Sequence, residues 1–128
     1  MAHVEVCMID FKIGKPYSFR DYHCWIYVKD IREQAGINTK DFIVKNLSDA
    51  FNTITSEMSK IDHGLSKVDS HQDFDVVIGS KTKGSSKVYH CGVYHNGRVF
   101  HCDRALGQVV HQSYNSFIKS FEGVTLWR

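Results

Sequence analysis

The dipeptide Asn96-Gly97, set between the alternating runs KVYHCGVYH and RVFHCD, narrows most sharply what this chain can fold into. Both central residues of a type I′ turn need positive φ, and Asn-Gly meets that need at low cost, so the segment predicts a two-residue β-hairpin. That loop pairs His95 with Arg98, Val93 with Phe100, Gly92 with His101 and Cys91 with Cys102. Side chains alternate along a strand, which puts His90, Gly92, Tyr94, Val99 and His101 on one face and Cys91, Val93, Phe100 and Cys102 on the other. His90 and His101 become diagonal neighbours across the gap at Gly92. An imidazole that moves protons needs a partner on one ring nitrogen to fix its tautomer, and this pair supplies one.

The rest of the chain is organised around that hairpin. With 128 residues and 42% hydrophobic content, residues 1–128 suffice for one domain with a core of its own. From Cys24, the positions Cys24, Val28, Ile31 and Ala35 recur at helical spacing, Asp21 is placed to cap the start, and Gly36 to end it. The preceding GKPYSFRDYHC holds the only proline and reads as a loop. Leu47, Ala50, Phe51, Ile54, Met58 and Ile61 mark a second helix, followed by the turn-rich HGLSKVDSHQ. Everything later reads as strand: FDVVIGS, KVYHCGVYH, RVFHCD, GQVVH and FEGVTLW, with KTKGSSK as an exposed loop. Helices first and an antiparallel meander afterwards define an α+β class.

Charge and cysteine usage exclude some functions. Sixteen Lys and Arg against fourteen Asp and Glu give a net charge of +2, scattered along the chain, so nucleic acid is not expected as a partner. No apolar run is long enough to span a membrane, and MAHVEVCMIDFK lacks the basic and apolar segments of an export signal, so neither a span nor export by that route is expected. Cys7, Cys24, Cys91 and Cys102 without such a signal suit a reducing compartment, where disulfides are uncommon. Zinc is the competing reading. It is disfavoured because there is no Cys-x-x-Cys pair and the register turns Cys91 and Cys102 away from His90 and His101; the expectation is no metal and no cofactor.

Cys24 in the first turn of a helix completes a set. Helix-terminal amides and a nearby imidazolium both stabilise a thiolate, and a thiolate, a histidine and its orienting partner perform acyl transfer.

The ordered combination GKPY, DYHCWIYVKDIREQAGI, FDVVIGS and HCGVYHNGRVFHC resembles the NlpC family of papain-like cysteine peptidases, and most closely its short bacteriophage-tail members. The resemblance spans roughly residues 14 to 127. It implies a papain-like fold, Cys24 as nucleophile, His90 as base, His101 as the orienting third residue, and Tyr17 near the oxyanion site. It further implies hydrolysis of an amide bond in the peptide stem of bacterial peptidoglycan without a metal, by a virion tail component acting at the cell wall, or cytoplasmic until assembled or released, with phage tail proteins as partners. The sequence departs from the family pattern at His23, where Asp is usual, at Trp25-Ile26, and at Phe74, which replaces the glycine before Asp75.

Other assignments compete. His111 rivals His101 as third residue, and His23 is either a solvated neighbour or a contributor to the thiol's acidity. Solvated imidazoles are expected at His3, His63, His71 and His95, and solvated charge at Arg20 and Arg104, either of which would otherwise meet a substrate carboxylate. Cys91 and Cys102 read as core packing. An amidase, deamidase or acyltransferase on the same scaffold would look identical in sequence, and a catalytically silent tail-assembly or effector module keeping the fold as a binding surface is the third reading.

Overall fold

A computed structural model describes residues 9–40 and 64–128. The expected second helix, with His63, falls outside the described residues, as do His3 and Cys7. The described elements are α1 (Cys24–Gln34), β1 (Lys67–Val68), β2 (Val76–Lys83), β3 (Ser86–His95), β4 (Arg98–Asp103), β5 (Gln108–Ser113), α2 (Tyr114–Ile118) and β6 (Gly123–Trp127). The class is α+β, with one antiparallel six-stranded sheet in the order β1-β6-β2-β3-β4-β5. From β2 to β5 the strands form the expected meander; β6 then returns to the far side of β2.

The sheet is covered on both faces, which is why the consecutive apolar residues Val76, Val77 and Ile78 are all buried. Tyr27, Val28 and Ile31 of α1 bury against Val76, Ile78, Cys91, Val93, Cys102 and Val109 on one face. On the other, Val77, Tyr94, Val99 and Leu126 pack around Phe117 of α2, with Phe121 beside them. The two-face assignment read from alternation is the one the chain adopts. Asn96 and Gly97 have φ of 46° and 81°, as a type I′ turn requires.

Some expectations need correction. The hairpin pairs His95 with Arg98, Tyr94 with Val99 and Val93 with Phe100, but the partners stop there, so Gly92–His101 and Cys91–Cys102 are not formed as ladder pairs. KTKGSSK is exposed yet mostly strand: Lys81, Thr82 and Lys83 pair with Val88, Lys87 and Ser86, and the turn is confined to Gly84 and Ser85. Within HGLSKVDSHQ, Lys67 and Val68 form an edge strand with Trp127 and Leu126. Residues Tyr114–Ile118, expected to be extended or irregular, form a helix capped by Ser113, whose hydroxyl accepts from the Ser116 amide. Asp21 does not cap α1; His23 occupies the N-cap position and makes no side-chain cap bond.

Two local features hold the parts that matter for the site. The loop before α1 runs along the outer edge of β5, through Gly14 N–H to Val109 O, Val109 N–H to Lys15 O and Tyr17 N–H to Gly107 O, all 2.9 Å. It protects that edge and fixes Tyr17. At the base of β2, the buried carboxylate of Asp75 is gripped by Arg128 through two bonds of 2.8 Å, and Phe74 beside it takes φ of 70°. A left-handed residue is what a glycine there would supply without strain, so Phe74 holds by packing a conformation it does not favour.

Candidate active site

Alternation along β3 and β4 places His90 and His101 on the α2 face, where the break in regular pairing leaves their rings adjacent. His90 Nε2 and His101 Nδ1 are 2.7 Å apart, with the rings at 79° to each other. The other ring nitrogen of His101, Nε2, lies 2.9 Å from Gln112 Oε1, and the Gln112 amide donates to Ser116 Oγ at 3.1 Å. A carboxamide oxygen only accepts, so His101 carries its proton on Nε2 and receives one from His90 Nε2–H. That leaves His90 Nδ1 unprotonated and free to take a proton.

Burial, and then the charge of His90, push His101 down to about 4, so it is a neutral orienting group at ordinary pH. Phe117 meets both rings, at 6.1 Å from His90 and 5.2 Å from His101, and Phe121 lies parallel to His90 at 6.3 Å. Gly79 makes room for Phe121: a Cβ there would come within 2.5 Å of its ring.

Cys24 opens α1 on the opposite face of the sheet and is 5% exposed. Its thiol is held well below the ordinary thiol range. The largest cause is the hydrogen bond with Cys91, followed by hydrogen bonds with His23 and His90 and the charge the His90 ring gains on taking the thiol's proton; together they outweigh the opposing effect of burial. Cys91, fully enclosed, is pushed up by burial and by Cys24, so it is the member of the thiol pair that keeps its proton. Tyr17 is raised by burial and by the charge of Cys24, so its phenol lies within electrostatic range of the thiol.

Cys24, His90, His101 and Tyr17 are thus brought together. His111 is not: its Nδ1 accepts from Arg98 Nε at 2.7 Å and its ring stacks on Phe100, on the α1 side. His23 is a partner of the thiol, not a merely solvated neighbour. His71 is exposed as expected, with one ring face on Tyr94, whereas His95 is half-buried among Phe11, Phe74 and Phe100. Cys102 is core packing, its Sγ 3.4 Å from Tyr22 O, but Cys91 is core packing and thiol partner at once. Cys24, Cys91 and Cys102 are all free thiols.

Sequence reasoning missed Gln112 and the role of Cys91. GQVVH stops one residue short of Gln112; extending its alternation by one would have put that residue on the His101 face. No sequence signal marks Cys91, because its partner lies on a distant helix.

His90, His101 and Asp103 offer ligand atoms within 4.8 Å of one another, as a metal would require. Two of those nitrogens already face each other across a hydrogen bond, and Asp103 Oδ2 accepts from the Leu106 amide, so the donors fit a proton relay better than a metal.

An open groove of about 1030 Å³ lies on the histidine side, walled by His90, His101, Gln112, Phe121, Lys81 and Arg104 among others. His90 belongs both to this wall and to the thiol's surroundings. An acidified Cys24 thiol, a His90 ring oriented by His101 and Gln112, and an open groove along the histidines can together carry out nucleophilic acyl transfer. No known protein-family model and no curated protein matches the chain. Among the described residues, no helix is long and apolar enough to cross a membrane.

Proposed function

We propose that the protein is a cysteine peptidase of the papain-like NlpC type, which hydrolyses an amide bond in the peptide stem of bacterial peptidoglycan. The observation that carries the catalytic part is the 2.7 Å contact between His90 and His101, backed by Gln112, with the acidified Cys24 thiol on the remaining side of His90. The substrate and a phage-tail setting rest on the family resemblance of the segments around Tyr17, Cys24 and His90.

In this reading the Cys24 thiolate attacks the scissile carbonyl carbon and forms a C–S bond. His90, protonated at Nδ1 by the thiol, gives that proton to the departing amine as the C–N bond breaks. Water then enters; His90 takes its proton, the hydroxide adds to the thioester, and the C–S bond breaks to release the acid and restore the thiol. His101 keeps the His90 ring in the orientation both transfers need. By the family resemblance, the Tyr17 hydroxyl would stabilise the developing oxyanion.

The test compares the parent protein with Cys24→Ala on purified sacculi, counting released peptides by mass. Release by the parent and none by a folded Cys24→Ala protein is the expected result. No release by the parent, while simple amides or esters are cleaved, moves the assignment to another acyl-transfer substrate; no acylation of Cys24 by any thiol-directed ester overturns the catalytic reading.

A further inference from the structure

Acyl transfer uses one of three thiols that the fold gathers into one core cluster. Cys24, Cys91 and Cys102 all belong to that cluster, and all three are free. Where α1 packs on β3, the Cys24 and Cys91 side chains are in hydrogen-bond contact. Burial divides them: Cys24 keeps 5% of its surface exposed and Cys91 keeps none. A small oxidant can therefore meet Cys24, while Cys91 stands behind it, already in contact, as the thiol that can resolve the product.

Cys102 is the rival partner for either thiol, and the geometry sets it aside. A regular hairpin would seat it opposite Cys91, but the β3–β4 ladder ends at Val93–Phe100. Its Sγ is turned instead toward the Tyr22 carbonyl, to which it donates at 3.4 Å. The two thiols that touch lie on different elements, one on a helix and one on a strand, so a bond between them ties the nucleophile to the sheet.

We infer that Cys24 and Cys91 are a redox modification site: hydrogen peroxide oxidises Cys24, and Cys91 closes a reversible disulfide that silences the nucleophile. The Cys24 thiolate attacks one peroxide oxygen and the O–O bond breaks. The departing hydroxide takes up the proton that the thiol had given to His90, and Cys24 is left as a sulfenic acid. The Cys91 sulfur then attacks the Cys24 sulfur; an S–S bond forms as the S–O bond breaks, and the second hydroxide leaves as water with the Cys91 proton. Each sulfur gives up one electron and the peroxide gains both, so two thiols and one peroxide yield one disulfide and two waters. Closure also shields Cys24 from sulfinic acid, which thiols do not reverse, and a dithiol reopens the bond by exchange. This chemistry does not depend on what Cys24 acts upon; only its consequence, the silencing of catalysis, rests on the peptidase reading.

The test is a mass measurement on the full chain. Reduced protein is treated with hydrogen peroxide, the remaining thiols are blocked with N-ethylmaleimide, and the chain is digested with trypsin. Cleavage after Arg20, Lys29, Lys87, Arg98 and Arg104 puts Cys24, Cys91 and Cys102 on separate peptides. The expected result is a cross-link between the Cys24 and Cys91 peptides, a whole-chain mass lower by two hydrogens, and a loss of Cys24 alkylation that dithiothreitol restores in full. Cys91→Ala is expected to give no such cross-link; its Cys24 gains two or three oxygens instead, and dithiothreitol restores none of the alkylation. Parent and variant are compared at equal loss of Cys24 alkylation, because the variant's thiol is the less acidic. A cross-link from Cys91 to Cys102 or Cys7, a parent Cys24 that gains oxygens as the variant does, or thiols that peroxide leaves unchanged overturns the inference. The parent measurement needs no substitution, and the masses are the same whether or not the protein releases peptides from sacculi, so this inference and the peptidase reading fail separately.

Discussion

Replacing Gly92 by alanine tests the architecture that brings the two histidines together. A Cβ built on Gly92 would come 2.6 Å from Val99 Cγ1, 2.8 Å from Phe100 O and 3.1 Å from His101 Cβ. The valine methyl can swing aside, but the Phe100 oxygen is backbone of the neighbouring strand, so β3 and β4 must separate by several tenths of an ångström. Overpacking of this kind in a close-packed interior costs about 2 kcal/mol. For a chain of this length that lowers the melting temperature by roughly 8 °C. The displacement falls on His101 as well, so the His90–His101 contact lengthens and the pair loses its fixed tautomer. The assay is thermal unfolding by circular dichroism together with imidazole nitrogen shifts by NMR. A Gly92→Ala protein that melts within about 1 °C of the parent, with unchanged imidazole shifts, would refute the close approach on which the geometry rests.

Two further predictions concern ionisation. Cys91→Ala removes the hydrogen bond that contributes most to the acidity of Cys24, so the pH at which Cys24 loses its reactivity toward iodoacetamide should move upward; an unchanged pH profile would show that His23 and His90 suffice. His101 is held near 4 in the folded chain against 6.5 when free, so the unfolded state takes up a proton first as pH falls. Stability from this group is fully present above about 6.5 and drains away down to about 4, where the loss levels off near 3 kcal/mol. Denaturant unfolding of the parent and His101→Gln across that window should show a shallower acid dependence in the variant, and parallel curves would contradict it.

How much of this was legible in the sequence follows from the range of the forces involved. The Asn96-Gly97 hairpin, the two faces of β3 and β4 and the helix starting at Cys24 are set by local chemistry: a turn that needs positive φ, a two-residue alternation, a helical repeat. Those signals sufficed to put His90 and His101 side by side; Cys24 joined them through its place at a helix start and through the family resemblance. The order of the strands was harder. FEGVTLW gives no sign that β6 returns to lie between β1 and β2, because that choice is made by packing Leu126 and Trp127 into opposite cores. The helix Tyr114–Ile118 was hidden by its brevity, and Gln112 by a strand that runs past its apolar residues. Cys91 looked like filler because its partner, Cys24, is 67 positions away in sequence. The contacts with Cys91 and His23 that acidify Cys24 emerge only when the chain is folded.

One thiol, Cys24, meets both Cys91 and His90, two consecutive residues whose side chains leave opposite faces of β3. In a regular ladder a group on the α1 side would be screened from His90 by the neighbouring strand. Here β3 remains paired with β2 at this level, Gly79 opposite His90, while its pairing with β4 has ended at Val93–Phe100. Gly92, lacking a side chain, keeps β4 and His101 close to β3 despite the lost ladder partners. The end of the β3–β4 ladder falls at the level where the Cys24 thiol, from the α1 layer, meets the His90 ring. It accounts for the double cover of the histidine face by Phe117 and Phe121: where backbone pairing no longer fixes the two strands, aromatic packing holds the imidazoles in register.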